Sequence, residues 1–143
     1  MNKIVLSENK EFVQSIKYSA DNLLYIINDI LDLSKIEAGE VELEEVAFDL
    51  HDFLNKTRKS YQPLFDQKNL ALKLAIENNL PNYAKGDPYR LNQILNNLIN
   101  NALKFTEKGS VTILAELTPE NFLRFKIKDT GIGISAEGLK NIF

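Results

Sequence analysis

Between Phe12 and Leu33 the apolar residues fall into two parallel stripes. Phe12, Ile16, Leu23, Ile26, Ile30 and Leu33, with Ser19 in register among them, alternate spacings of four and three, which makes a heptad seam. Ala20, Leu24, Ile27 and Leu31 run beside it. A surface this wide needs more than one neighbour, so the pattern predicts one helix of a bundle rather than an amphipathic helix lying on its own domain. Gly39 is placed to end that helix as a C-terminal cap. Beyond it, "EVELEEVAFDL" alternates Val41 and Leu43 with acids and predicts a strand. Asp49 then serves as N-cap of an amphipathic helix running to about Gln67. "LALKLAI" sets Leu70, Leu72, Leu74 and Ile76 on one face of a second strand. "GDPYRLNQILNNLINNALKFTEKG" carries its own start and stop signals: Asp87 caps, Pro88 enters the first turn and Gly109 closes. "SVTILAEL" and "FLRFKIKD", separated by "TPEN", read as a hairpin. Helices mixed with strands in this order predict an α+β fold, with helices on one face of a sheet.

Composition narrows the partners. The chain has 143 residues and 44% hydrophobic content, enough for one domain with an appendage and a real core. Its net charge is −3 and its lysines are scattered among acids, so there is no electrostatic footprint for nucleic acid. No run of apolar residues is long enough to span a membrane, so no membrane contact is expected in this segment. With no cysteine there is no disulfide framework and no thiolate metal site, and the cytoplasm is the default compartment.

Two features bear on chemistry. In the last strand the period of two sends Asp129 to the side of Leu123, Phe125 and Ile127. A carboxylate at the edge of an apolar face needs donors, so Asp129 is expected either to face a pocket and hold partners there or to start a turn with Gly131. On the preceding helix, Asn97, Asn101 and Lys104 fall within an arc of about 60° at about 100° per residue, flanking the apolar stripe of Leu91, Ile94, Leu98, Ala102 and Phe105. "NNLINNA" puts four asparagines in mid-helix, where propensity favours other residues. Amide oxygens suit Mg²⁺ beside phosphates and a lysine neutralises phosphate charge, but a merely solvated polar face has the same pattern.

"NNLINNALKFTEKG" and "DTGIGIS", in this order and at this separation, resemble the N box and first glycine box of the ATP-binding domain of two-component sensor histidine kinases. "LLYIINDILDLSKIEAGEVELEEVAFDL" resembles the second helix of that family's dimerisation and histidine-phosphotransfer domain and its join to the catalytic domain. The likeness runs from about Ser7 to Phe143. It implies residues 1–39 as that incomplete second helix and residues 40–143 as a Bergerat-type α/β sandwich of the kind shared with gyrase, mismatch-repair and chaperone ATPases. It also implies Asn101 as Mg²⁺ ligand, Asn97 as support to metal and phosphates, and Lys104 as a phosphate contact. Asp129 would accept from the adenine amino group, with Gly131 and Gly133 letting backbone approach the base. ATP and Mg²⁺ are then the cofactors, a second copy and a response-regulator receiver domain the partners, and γ-phosphoryl transfer to a histidine the reaction.

Departures from the family pattern matter as much. ATPase cousins carry a water-activating glutamate where this chain has Asn97, and an amide cannot take that proton, so transfer is favoured over hydrolysis. The only histidine, His51, lies in "FDLHDFL", where the family shows no acceptor, and is expected to be an inert surface residue. The acceptor histidine, the lid over ATP and a second glycine-rich box are expected outside these 143 residues, so this piece alone is expected not to phosphorylate itself. A hydrolytic ATPase of the same fold and a catalytically inert dimerisation or receiver-docking module are the competing readings.

Overall fold

The computed structural model describes residues 2–139, so Met1 and residues 140–143 lie outside the described residues. The chain divides into two compact units, residues 1–42 and 43–143.

The first unit is built on helix α1, Asn2–Glu37. It ends as the glycine predicts: Gly39 has φ +68°, its N–H donates to the Ile36 carbonyl, and the Glu40 N–H donates to that of Lys35. These two bonds form a Schellman motif, which only a residue at ease with positive φ completes without strain. Neither stripe is covered. Ile16, Leu23, Ile26, Ile30 and Leu33 of the seam are all more than half exposed, as are Leu24 and Leu31 beside them.

The second unit runs β1 (Val46–Asp49), α2 (Leu50–Gln67), β2 (Ala71–Ile76), β3 (Tyr83–Gly86), α3 (Pro88–Phe105), β4 (Ser110–Leu117), β5 (Leu123–Asp129) and the single turn α4 (Ala136–Leu139). β1 pairs with β3 as an antiparallel ribbon. β2, β4 and β5 form a second sheet in that order, β2 parallel to β4 and β5 antiparallel to it. Parallel neighbours need a crossover connection, and here α3 supplies it between β2 and β4. Leu50, Leu54, Tyr61 and Phe65 of α2 and Leu95, Ile99 and Ala102 of α3 are buried with Leu72 of β2 and Val111, Ile113 and Ala115 of β4. Leu123, Phe125 and Ile127 of β5 pack against this core. On β4, Thr112, Leu114 and Glu116 alternate with the buried residues; Glu116 grips Lys126 at 2.6 Å and Arg124 at 3.2 Å.

Both predicted N-caps form. Asp49 accepts from the Asp52 N–H at 2.8 Å, and Asp87 accepts from the Arg90 N–H at 2.9 Å with Pro88 in the first turn. The second oxygen of Asp87 accepts from the Glu44 N–H, so one carboxylate starts α3 and fixes the approach to β1. α2 ends in another Schellman motif, with Asn69 at φ +55° in the glycine position. The "TPEN" hairpin is closed by the Thr118 N–H donating to the Phe122 carbonyl, with Asn121 at φ +66°.

Two expected features are not formed, and one strand is present that the pattern does not predict. "EVELEE" is not a strand: β1 begins only at Val46, because its partner β3 ends at Gly86, where the Asp87 cap turns the chain into α3. The alternation of Val41 and Leu43 therefore has no ladder to join, and Leu43 is exposed. β3 carries no sequence signal of its own, since "YAKG" is too short to show a period. Gly109 does not close α3, which stops at Phe105 because Thr106 turns to extended geometry. Gly109, at φ +106°, shapes the entry to β4 instead.

Candidate functional site

The topology delivers two motifs to one place. Four residues separate the end of α3 from the start of β4, and β5 returns antiparallel to β4 with Asp129 opposite Val111. The residues just after β5 must therefore pass the end of α3. They do: the Ile132 N–H donates to the Phe105 carbonyl at 3.3 Å, and the Thr130 N–H to the Ser110 carbonyl at 3.2 Å.

On α3, Asn97, Asn101 and Lys104 all lie exposed on one side of the helix, spread along about 10 Å of its axis. The Lys104 ammonium sits over the Phe105 ring, 5.2 Å from its centre. The apolar stripe beside them differs from the expected one. Leu91 and Ala102 do face the core, but Leu95 and Ile99 complete that face, and Ile94, Leu98 and Phe105 are 57%, 44% and 48% exposed. α3 is apolar over a wider arc than the sheet and α2 cover, so the asparagine and lysine face borders exposed apolar surface as well as the core rim.

Asp129 is exposed and takes the turn role: its Oδ1 accepts from the Gly131 N–H at 2.8 Å. That bond is compatible with the pocket role, because a carboxylate has a second oxygen, and it fixes the orientation of the first. Gly131 is required by contact. A Cβ there would run into the Phe105 carbonyl oxygen and stand 2.9 Å from Asp129 Oδ1. Gly133 is required by conformation, with φ +69° and open space around it. Past it, Ser135 opens α4 by accepting from the Gly138 N–H at 3.1 Å.

Sequence reasoning missed Thr130. Its hydroxyl donates to the Lys108 carbonyl at 3.0 Å and accepts from the Ser110 N–H at 3.1 Å, so it spans the turn at Gly109. The pairing of the hairpin would have found it, since carrying the register back from the "TPEN" loop brings Thr130 opposite Ser110. Lys68 was missed too; its ammonium donates to the Leu103 carbonyl at 2.8 Å and ties the end of α2 to the last turn of α3.

His51 is less open than a free surface residue. It is half-buried at the start of α2, and its Nε2 is shut off from solvent without a hydrogen-bond partner. The only other buried side-chain polar atom without a partner among the described residues is Thr106 Oγ1, at the end of α3. Among the same residues no cluster of three acidic, histidine or cysteine side chains is arranged to hold a metal. The donors that the α3 face offers a hard cation are amide oxygens, Asn101 Oδ1 among them, and phosphate and water would have to fill the rest of its shell. The exposed amide fits that demand.

Residues 86–143 match the family of histidine kinase-, DNA gyrase B- and HSP90-like ATPases. Over 137 residues the chain is 42% identical to the sensor protein GacS of Pseudomonas syringae pv. syringae, covering 93% of this chain and 15% of that protein. It is 42% identical over 134 residues to the aerobic respiration control sensor protein ArcB homolog of Haemophilus influenzae, covering 94% of this chain and 41% of the relative. Full-length ShkA, solved in complex with AMPPNP, superposes with a TM-score of 0.78 at 32% identity, over 91% of this chain and 28% of that one. The chain thus spans well under half the length of these relatives. Both motif segments and the fold that joins them place this chain in the sensor histidine kinase family, with residues 86–143 in its ATPase-like domain.

Proposed function

We propose that this chain is the nucleotide-binding part of a two-component sensor kinase acting in the cytoplasm. In this reading it holds Mg-ATP for transfer of the γ-phosphoryl group to a histidine, for relay to an aspartate of a response-regulator receiver domain. The observation that carries the reading is the junction of the two motifs: an exposed Asn97, Asn101 and Lys104 face on α3, whose last carbonyl, Phe105, accepts from the Ile132 N–H just past the Asp129 to Gly131 turn. No helix among the described residues is long and apolar enough to cross a membrane, and the exposed double stripe of α1 suits pairing with a second copy in a helix bundle.

Each residue has a task in that reading. Asp129, with Oδ1 occupied by Gly131, offers Oδ2 to the exocyclic amino group of adenine. Asn101 supplies a hard oxygen ligand to Mg²⁺, which, when bound, neutralises phosphate charge. Lys104, anchored over Phe105, is one flexible reach from the same phosphates. Asn97 contributes polarity without basicity, so no group at its position draws a proton from water. An acceptor imidazole needs no such base at neutral pH: its nitrogen lone pair forms the P–N bond as the bridging P–O bond breaks and ADP leaves with the electron pair. The acceptor in this reading is a histidine other than His51, whose Nε2 is closed off from solvent.

The test is labelling of the full-length protein with γ-radiolabelled Mg-ATP. The expected product is acid-labile, base-stable phosphohistidine, lost in Asn101→Ala and retained in His51→Gln. Steady phosphate release without phosphohistidine, abolished by Asn97→Ala, would instead identify a hydrolytic ATPase; absence of both would leave an inert module.

A further inference from the structure

We propose that Thr130 is a positioning residue of the nucleotide site, clamping the carboxylate of Asp129 to the turn that joins α3 to β4. This deepens the reading of Asp129 as the adenine contact and rests on it. Three bonds from one residue meet that turn: hydroxyl to the Lys108 carbonyl, Ser110 N–H to hydroxyl, and Thr130 N–H to the Ser110 carbonyl. The turn is shaped to receive the hydroxyl. At Gly109 a Cβ would collide with Thr130 Oγ1, and φ of +106° there is open to glycine and strained for other residues.

Asp129 is then held on both flanks. On one side it closes the ladder opposite Val111; on the other Thr130 fixes the chain to Ser110 before Gly131 meets the Phe105 carbonyl. The carboxylate itself is exposed and bonded only within its own turn among the described contacts, so nothing beyond this backbone frame sets its place. Thr130 is exposed too. Its contribution is geometric, through two directional bonds that a methyl group cannot make.

The experiment compares Mg-ATP affinity by calorimetry, and hydrogen exchange of the Ser110 amide, in wild type, Thr130→Val and Thr130→Ser. Valine keeps the shape and loses both bonds; serine keeps the hydroxyl. The expected result is roughly fivefold weaker binding with valine, the net worth of about one hydrogen bond, and affinity within about twofold of wild type with serine. Ser110 exchange should rise with valine and hold with serine. Gly109→Ala, whose Cβ takes the place of the hydroxyl, should reproduce the valine result. Wild-type affinity in Thr130→Val, or failure of serine to restore it, overturns the proposal even if the valine variant melts lower, because a purely structural residue would do that. If wild type binds no nucleotide, the reading of Asp129 has failed instead; unchanged Ser110 exchange in Thr130→Val would then show that the clamp has failed as well.

Discussion

The two glycines of the "DTGIGIS" turn have different reasons to be glycine, and the difference can be measured. Gly131 has no room: a Cβ would press on the carbonyl oxygen that ends α3 and on the carboxylate that caps its own N–H. Gly133 has room but sits at φ +69°. Gly131→Ala should therefore push the turn off the helix, costing about 1–3 kcal/mol and taking Asp129 with it. Gly133→Ala should cost roughly 1–2 kcal/mol of backbone strain and leave the Phe105 contact standing. Chemical denaturation, with the Ile132 amide followed by hydrogen exchange, separates the two: exchange at Ile132 should rise in the first variant only. At this scale the sequence was legible for residue type and opaque for neighbours. The motif marked Gly131 as a place of close approach. That the nearest approach is to the Phe105 carbonyl, and that Thr130 locks the same corner, depends on strand pairing across twenty residues.

Among the elements, those whose start is encoded in a side chain were readable. Asp49 and Asp87 announce α2 and α3 because an extended residue with a short acceptor satisfies N–H groups that no helix can satisfy for itself. "EVELEE" misled because alternation records which face is polar without naming a partner strand. Asp87 yields a pH prediction. The Arg90 N–H, helped by those of Glu44 and Tyr89 and by the Arg90 charge, holds its carboxyl below the ordinary range against a smaller effect of burial. A lowered pKa in the folded state means that the stabilisation is complete above the unfolded pKa of about 4 and is lost as pH falls through the folded value. The melting temperature of Asp87→Ala should thus lie below wild type near neutral pH, and the gap should shrink as the pH is lowered below about 4. A gap that stays constant down that range would show that the cap bonds do not distinguish the charged form.

For the whole molecule, the two units differ in what they leave exposed. The second unit buries a continuous core from α2, β2, α3 and β4, whereas α1 shows solvent two apolar stripes and, in the described structure, covers neither. A helix of this kind gains its stability from partners. If α1 pairs in a bundle, sedimentation should report a species larger than a monomer, and Ile30→Asp, which puts a charge in the seam, should shift it toward monomer; a wild-type chain that sediments only as monomer would count against pairing through α1. The fold class could be read from the sequence, because α2, α3 and the strands β2, β4 and β5 are long enough to show their period. The path that folds the end of β5 against the end of α3 could not, because it is fixed by the parallel crossover and the hairpin register together.

In the proposed function the α3 face and the Asp129 turn form one nucleotide site. Calorimetry of Mg-ATP binding to wild type and Asp129→Asn tests it most directly, because the amide keeps the shape and an acceptor oxygen for the Gly131 N–H while removing the charge and placing a donor toward adenine. The expected result is measurable binding to wild type, weakened at least about tenfold in Asp129→Asn, the scale of a hydrogen bond to a charged group. Equal, measurable affinity in the two proteins would contradict it.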